Sequence, residues 1–172
     1  MEILHYPHPL LRKRGELIRE ITPEAVERAR EMLELMYQAK GVGLAATQVG
    51  WSVQLCVINP KPEDRSRELV CINPVISDTE GEEVSDEGCL SLPDVRGNVT
   101  RFRKLTCRWY DLAGRRMETV AEGLLARIFQ HELDHLNGRL IIDRMTPASR
   151  LGVRSRLKEL EREHRAAARA LV

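Results

Sequence analysis

The chain has 172 residues, of which 42% are hydrophobic and 31% are charged, and its formal net charge is +1. This balance predicts an ordinary soluble globular protein with one core, and hence one domain over residues 1–172. It excludes a global electrostatic field that would favour DNA or an anionic membrane as a partner. No apolar run reaches a membrane-spanning length, and the first residues (MEILH) lack the basic and apolar regions of a secretory signal. We therefore expect a cytoplasmic location without membrane contact.

The first twenty residues are interpreted as an arm laid over the body of the protein. Pro7 and Pro9 disfavour a helix there and favour an extended chain. His5 and His8 lie in this arm, and a flexible arm holds a metal ion poorly. We therefore predict that both histidines are surface residues.

The first helix is predicted to begin at Pro23, with Thr22 as its N-cap, and to end at Gly41. The glycine-rich residues 41–50 (GVGLAATQVG) do not fit a phosphate-binding loop, because no Lys-Ser or Lys-Thr follows the glycines. We interpret them as a wall that an extended peptide can approach closely, with Gln48 as a polarising donor in a dry setting. A plain connector between a helix and a strand is the alternative.

Strand-like segments dominate the middle of the chain. Residues 53–58 and 69–76 predict strands, and a proline near the end of the second suggests an edge or a bulge. Residues 79–83 (TEGEE) predict an exposed acidic turn. Residues 105–110 alternate apolar and polar side chains, and a turn signal then returns the chain into 117–120, which predicts a hairpin.

The cysteines are scattered without a C-x-x-C pair, which indicates neither a zinc ribbon nor a disulfide framework. Cys56, Cys71 and Cys107 fall in strand-like stretches and are predicted to be reduced core residues. Cys89 differs from them, because a glycine precedes it and a proline follows within four residues. Its surroundings predict a tight segment rather than the interior of a regular strand.

The helix predicted over residues 121–137, with Gly138 as its stop, carries the strongest chemical signal. His131 and His135 are four residues apart, so they lie on one face and can offer imidazole nitrogens to a single ion. Glu132 is rotated by about 100° from the first histidine, which lets it reach a water on that ion as general base and acid.

A His-Glu-x-x-His pattern also occurs on solvated helix faces. Here Leu124 and Ile128 share one side of the helix with both histidines, which continues an apolar stripe and predicts that the histidines face inward. Buried histidines need partners, and a metal supplies them to both at once.

Thr146 and Pro147 repeat the helix-start signal and predict a C-terminal helix that runs towards Val172. The charges of this helix lean positive. They indicate either a solvated face or docking to an anionic partner such as ribosomal RNA. Helices separated by a run of antiparallel-looking strands indicate an α+β fold.

A catalytic metal usually has three protein ligands, so the two histidines need a third. Glu159 and Glu163 are candidates, as in glutamate-liganded zinc proteases, but they alternate with basic residues on a helix that looks solvated. Cys89 is the favoured candidate, because a thiolate binds a divalent metal strongly.

Three motifs resemble the signature motifs of the peptide deformylase family, in the family's order: residues 41–48 (GVGLAATQ), 87–91 (EGCLS) and 130–135 (QHELDH). The likeness covers nearly the whole chain. It implies an α+β fold in which small antiparallel sheets pack around a central metal-binding helix, with a C-terminal helix. The implied activity is removal of the formyl group from N-formylmethionine of nascent polypeptides, which releases formate. The implied cofactor is one divalent metal ion, natively Fe²⁺, which Zn²⁺, Ni²⁺ or Co²⁺ can replace.

The resemblance also implies roles for individual residues. The metal ligands would be Cys89, His131 and His135, and Glu132 would shuttle the proton. The Gln48 amide and the backbone N–H of Leu90 would meet the formyl oxygen. Glu87 and Arg101 would form a structural ion pair.

The substrate is implied to contact a separate set of residues. Gly43 would hydrogen-bond its backbone, and the methionine side chain would enter a pocket bordered by Leu124, Ile128 and the aliphatic part of Arg127. The family often has proline where this chain has Thr100, and many members have an apolar residue at the position of Arg127. The width and preference of the pocket are therefore left open.

Two other function classes fit parts of the pattern. A small zinc peptidase with Glu159 or Glu163 as third ligand predicts that Cys89→Ala leaves metal content and activity unchanged. A non-catalytic metal-binding or peptide-binding module predicts that Glu132→Gln leaves function intact. The hydrolase hypothesis instead predicts near-total loss of turnover with the metal retained.

Overall fold

The computed structural model describes residues 1–170. Its helices are α1 (Pro23–Gln38), α2 (Gly123–Leu136), α3 (Pro147–Gly152) and α4 (Arg154–Ala170). Its strands are β1 (Gly43–Ala45), β2 (Leu55–Ile58), β3 (Leu69–Cys89), β4 (Leu92–Tyr110) and β5 (Arg116–Glu122). Short 3₁₀ helices lie at Pro9–Arg12, Ala46–Val49, Arg65–Arg67 and Ile141–Asp143.

The strands form one antiparallel sheet in the order β1-β2-β3-β4-β5, so each strand pairs with its neighbour in the chain. The predicted α+β class is confirmed, and the small sheets expected from the sequence are joined into one. β3 and β4 form a long hairpin whose register shifts at three points, the last between Gly88 and Cys89. A bulge re-aims the side chains beside it, and this one lies at the turn that carries Cys89.

The prediction of an acidic turn at residues 79–83 is wrong. The strand predicted over 69–76 continues through this stretch, where Glu80, Glu82 and Glu83 pair with residues of β4. The side chains are exposed, as predicted. Local composition favours a turn, but the backbone hydrogen bonds offered by the neighbouring strand favour an extended chain.

The N-terminal arm is only partly extended, because Pro9–Arg12 form a 3₁₀ turn that the sequence did not predict. A proline can open such a turn, since the N–H that it lacks would have no partner there. His8 accepts a hydrogen bond at the start of the turn through Nδ1. Backbone N–H groups of the arm donate to the carbonyls of Gln48 and Ser91 at 2.7 and 2.8 Å. The arm thus holds two segments that flank the site described below.

The first helix begins as predicted, since Thr22 Oγ1 accepts a hydrogen bond from the backbone N–H of Ala25. Its end differs slightly from the prediction. The helix stops at Gln38, and Lys40 rather than Gly41 adopts the left-handed conformation, with a φ of +56°.

The helix α2 lies within the predicted residues 121–137, and Gly138 follows it with a φ of +71°. Glycine is also needed there because a Cβ would lie 2.4 Å from the carbonyl oxygen of Arg12. The single C-terminal helix predicted from Thr146 divides at Val153 into α3 and α4, and its last two residues lie outside the described part. None of the helices in residues 1–170 has both the length and the apolar character that crossing a membrane requires.

The apolar face of α2 packs against the sheet. The Phe129 ring of α2 meets the Trp109 ring of β4 with the centroids 5.8 Å apart, and both are buried. Cys56, Cys71 and Cys107 belong to the same buried cluster, as predicted. Burial of this face fixes the helix relative to the strands, and it thereby also places the polar side chains of α2.

A second buried cluster joins the β3–β4 hairpin to the C-terminal helices. Leu92 and Val99 of β4 pack there with Leu140, Met145 and Leu160. Cys89 lies against the edge of this cluster and is itself only partly buried. The hairpin turn is therefore supported by packing on one side and open on the other.

Candidate active site

Three side chains that can bind a metal meet where the β3–β4 hairpin approaches α2. Cys89 is the last residue of β3, and His131 and His135 lie on successive turns of α2. Cys89 Sγ is 3.2 Å from His135 Nε2, which is 3.3 Å from His131 Nε2. Their ligand atoms all lie within 4.8 Å of one another, and they form the one such group within residues 1–170.

These separations fit a single ion. Tetrahedral coordination with bonds of about 2.3 Å to sulfur and about 2.1 Å to nitrogen would place the donor atoms about 3.4–3.6 Å apart. A thiolate with two imidazoles is a donor set that divalent iron, cobalt, nickel and zinc accept. The residues present therefore fit one divalent metal ion.

A cleft of about 580 Å³ opens beside this group. One wall is the glycine-rich stretch around Gly43, and Leu90 of the hairpin turn and Ile128 of α2 contribute to the others. Gly43 begins β1, which lies at the edge of the sheet. An edge strand offers free backbone groups to an extended peptide, so the cleft suits a peptide backbone laid along β1.

Glu132 lies beside the metal-binding group with its carboxyl buried. The side chain is 3% exposed, and Oε2 has no hydrogen-bond partner among the described residues. Burial raises the pKa of Glu132 to about 7, although the charges of His131 and Arg101 oppose the rise. A carboxyl with a pKa near neutrality is suited both to accept a proton and to return it.

The position of the Glu132 carboxyl depends on Gly43. A Cβ at Gly43 would lie 2.3 Å from Glu132 Oε1 and 3.0 Å from Ile128 Cγ2. No side chain fits into that space without displacing the carboxyl. The family resemblance implies a substrate-binding role for Gly43 and does not predict this close approach, because a glycine has no side-chain pattern that indicates what packs against it.

Gly43→Ala is therefore expected to lower kcat by about 10-fold to 10²-fold, because a displacement of about 1 Å is enough for such a loss. The added Cβ would overlap mainly with the carboxyl end of the flexible Glu132 side chain, so we expect the variant to fold. Steady-state turnover of the substrate that the family resemblance implies, at matched metal content, measures the effect. Gly152→Ala is the control, because its Cβ would meet nothing within 4 Å. Wild-type kcat in Gly43→Ala would contradict the assigned contact.

The Gln48 amide is held in a fixed orientation next to the thiol. Its Oε1 accepts a hydrogen bond from the backbone N–H of Ala45 at 2.9 Å, and Nε2 donates to Ser91 Oγ at 3.1 Å. Nε2 is also 3.8 Å from Cys89 Sγ. The side chain is 1% exposed, which is the dry setting predicted for it. Ser91 was missed by sequence reasoning, although it belongs to the second motif.

A buried ion-pair network supports His131 from behind. Its Nδ1 lies 3.1 Å from Glu87 Oε2, and Arg101 donates to both oxygens of Glu87 at 3.0 and 3.1 Å. Burial alone would raise the pKa of Glu87, but the hydrogen bonds from His131 and Arg101 outweigh it and lower the pKa to about 2. A carboxylate on the outer nitrogen fixes the ring so that Nε2 faces the ion.

The network continues to Asp134, which sequence reasoning left without a role. Asp134 is buried and accepts hydrogen bonds from Arg101 and, at 2.9 Å, from Arg144 Nη2. The sequence feature that could have indicated a role for Asp134 is its position, one turn after His131 on a helix that is largely buried. His135 is buried as well, and burial lowers its pKa well below the usual value. Burial would also lower the pKa of His131, but its hydrogen bonds with Cys89 and Glu87 outweigh this effect and raise the pKa.

The residues predicted to border the methionine pocket differ in how far they are exposed to solvent. Ile128 is buried, whereas Leu124 is 54% exposed at the rim of the cleft, so its predicted place in an inward-facing stripe is wrong. Leu124 lies in the first turn of α2. Arg127 lines the cleft, and its guanidinium donates to Glu87.

The other candidate ligands are placed elsewhere. Glu159 and Glu163 pair with Arg156 on the exposed face of α4, at 3.2 and 3.0 Å. They are not part of the cysteine and histidine group. The zinc peptidase hypothesis thus lacks the third ligand that it needs.

The fold and the site define a class of protein. One thiol and two imidazoles converge beside a buried carboxyl group, and an open cleft along an edge strand leads to them. This is the arrangement of a metal-dependent hydrolase with a single ion, in which the carboxyl group handles the proton.

Comparison with known proteins places the chain more narrowly. Residues 1–151 match the family model described as polypeptide deformylase. The peptide deformylase of Thermodesulfovibrio yellowstonii is 43% identical to this chain, and the match covers 92% of this chain and 96% of the relative. The peptide deformylase of Nitrosococcus oceani is 41% identical, and the match covers 94% of this chain and 96% of the relative. The crystal structure of the Plasmodium falciparum peptide deformylase has a TM-score of 0.92 at 39% identity, covering 96% and 98% of the two chains. The structure of peptide deformylase 1B of Arabidopsis thaliana in complex with an inhibitor has a TM-score of 0.92 at 38% identity, and the match covers 97% of this chain and 93% of that one. The chain belongs to the polypeptide deformylase family.

Proposed function

We propose that this chain hydrolyses the N-terminal formyl group of formylmethionine on newly synthesised polypeptides and releases formate, acting as one catalytic domain. The observation that carries the proposal is the buried Glu132 carboxyl beside Cys89, His131 and His135 in a member of this family. A divalent ion held by these three ligands would act as a Lewis acid that lowers the pKa of a water molecule and polarises the formyl carbonyl.

Glu132 carries the proton in both halves of the reaction. Its carboxylate accepts a proton from the attacking water, and the carboxylic acid then donates that proton to the departing amine nitrogen. Burial disfavours the charged form of this carboxyl and so favours the return of the proton from the acid. The absence of a side chain at Gly43 leaves room for Oε1, and Oε2 has no hydrogen-bond partner among the described residues.

The Gln48 amide and the backbone N–H of Leu90 stabilise the charge that develops on the formyl oxygen. Gln48 is suited to this role because its two hydrogen bonds fix the amide before substrate binds. Loss of one such donor costs about 10²-fold to 10³-fold in rate.

The cleft binds the rest of the substrate. The peptide backbone lies along β1 and exchanges hydrogen bonds with Gly43, and the methionine side chain enters between Leu124, Ile128 and the aliphatic part of Arg127. Formylmethionine is thereby held with its formyl carbon near the Glu132 carboxyl. Position and orientation supply a large part of the rate enhancement in such sites.

We propose Fe²⁺ as the native ion, with Zn²⁺, Ni²⁺ or Co²⁺ able to replace it, since the donor set accepts each of them. The test is a formate-release assay on an N-formylmethionyl peptide after anaerobic purification, with metal analysis of the same sample. We expect about one divalent ion per chain, mostly iron, and activity that declines on exposure to air. Absence of formate release from a metal-loaded sample would reject the function, and a predominance of zinc would reject the iron assignment alone.

We propose a cytoplasmic location, where nascent polypeptides would be available as the substrate. The exposed basic side chains of α4, among them Arg154, Arg162 and Arg165, are compatible with ribosome contact. This contact stays a prediction. Sedimentation of the protein with ribosomes, weakening steeply as salt rises, would support it.

A further inference from the structure

Arg127 connects the two elements that carry the proposed metal ligands. It lies on α2 one turn before His131, and its guanidinium reaches across to the β3–β4 hairpin. Nη1 donates to Glu87 Oε1 at 2.8 Å and to the carbonyl of Val99 at 3.3 Å, and Nη2 donates to the carbonyl of Glu83 at 3.4 Å. The side chain is only 11% exposed. Ion pairs that are partly buried are screened less than those on the surface.

Glu87 receives donors from three directions. Arg101 of β4 holds both carboxylate oxygens, His131 Nδ1 contacts Oε2, and Arg127 contacts Oε1. Arg101 also reaches Asp134 on α2, so the hairpin and the helix are joined there on the side away from the cleft. Gln130 of α2 also links the helix to β4, through two hydrogen bonds with the backbone of Phe102. Arg127 provides the link on the side of the cleft.

The span of Arg127 has a geometric consequence for the ligands. Cys89 belongs to the hairpin and His131 belongs to α2, so the separation of their ligand atoms depends on how these two elements are held together. Functional groups need to stay within about 0.5 Å of their working geometry. The hydrogen bonds of Arg127 lie on the side of the cleft, so they keep the hairpin and α2 from moving apart where the substrate enters.

We propose that Arg127 is a positioning residue for the metal site. Its guanidinium fixes Glu87 and ties the hairpin to α2, which holds Cys89 and His131 at the separation that one ion requires. Its aliphatic stem meanwhile forms a wall of the cleft. This inference rests on the proposed metal ligands and deepens the proposed function.

The test is Arg127→Met, because methionine keeps an unbranched apolar stem and removes the guanidinium. The protein is loaded with Co²⁺, and its dissociation into excess chelator is followed together with the cobalt absorption spectrum. We expect Co²⁺ to dissociate about 10-fold to 10²-fold faster than from the wild type, with shifted absorption bands. With an N-formylmethionyl peptide, kcat should fall about 10-fold, and KM should stay within about twofold because the wall is retained.

Two further variants control the comparison. Arg127→Lys keeps a charge that can reach Glu87 but cannot also span to the strand carbonyls, so partial rescue is expected. Arg108→Met removes an arginine that pairs with Glu118 on the exposed face of the sheet, and it should leave Co²⁺ dissociation unchanged. Circular dichroism melts confirm that each variant is folded, and if Arg127→Met does not fold, faster Co²⁺ dissociation from Arg127→Lys decides the question.

Wild-type Co²⁺ dissociation and spectrum in Arg127→Met would overturn the proposal. A raised KM with unchanged Co²⁺ dissociation would also overturn it, because Arg127 would then act on the pocket alone. If the wild type bound Co²⁺ but released no formate, the proposed function would fail. The dissociation measurements would still decide the role of Arg127.

Discussion

Glu132→Gln is expected to reduce formate release by about 10³-fold or more while leaving the metal bound. The amide has nearly the shape of the carboxyl but cannot accept a proton from water, and general acid and base catalysis typically contributes 10²-fold to 10⁴-fold. Glu132 acts at both transfers, so both are impaired. The ligand group does not include Glu132, so metal analysis should show the wild-type content. Steady-state formate release and metal content measured on one preparation check both parts.

The matched control is Glu118→Gln, which changes an exposed glutamate on the outer face of the sheet that pairs with Arg108. It should retain wild-type kcat. The non-catalytic binding-module hypothesis expects Glu132→Gln to keep its function. Turnover within tenfold of the wild type in this variant would therefore remove Glu132 from the mechanism and favour that alternative.

Cys89→Ala is expected to release the metal and with it the activity. The hairpin contributes one ligand and α2 contributes two, so the substitution leaves two imidazoles, and catalytic sites usually need three protein ligands. Replacing a residue that only orients a ligand typically costs 10-fold to 10²-fold in metal affinity. Removing a ligand itself should exceed that cost. Competition with a chelator of known affinity measures the loss.

Cys107→Ala is the control for Cys89→Ala, because it removes a thiol of a different kind. Cys107 is buried in the core, where burial raises the pKa of its thiol to about 12 and keeps it protonated. The variant should lose some stability to the cavity and keep its metal. If Cys89→Ala retained metal and activity, the cysteine ligand would be wrong, and the zinc peptidase hypothesis with a glutamate ligand would have to be reconsidered.

Local patterns predicted the elements whose partners are close in sequence. The Thr22 cap, the β4–β5 hairpin and the shared helix face of His131 and His135 are all found. Each depends on interactions over a few residues, which composition and periodicity report directly. The prediction failed at residues 79–83, where pairing with β4 outweighs a local preference for a turn.

The sequence by itself determined the donor types of the site and the spacing of the two histidines, because helical periodicity follows from local backbone geometry. The tertiary structure decided that Cys89, 46 residues from His135, reaches the same point. It also placed Gly43 against Glu132 and turned the Arg127 guanidinium towards Glu87. These contacts join elements far apart in the chain, and they form only when burial of apolar faces has fixed the hairpin, the edge strand and the helix against one another.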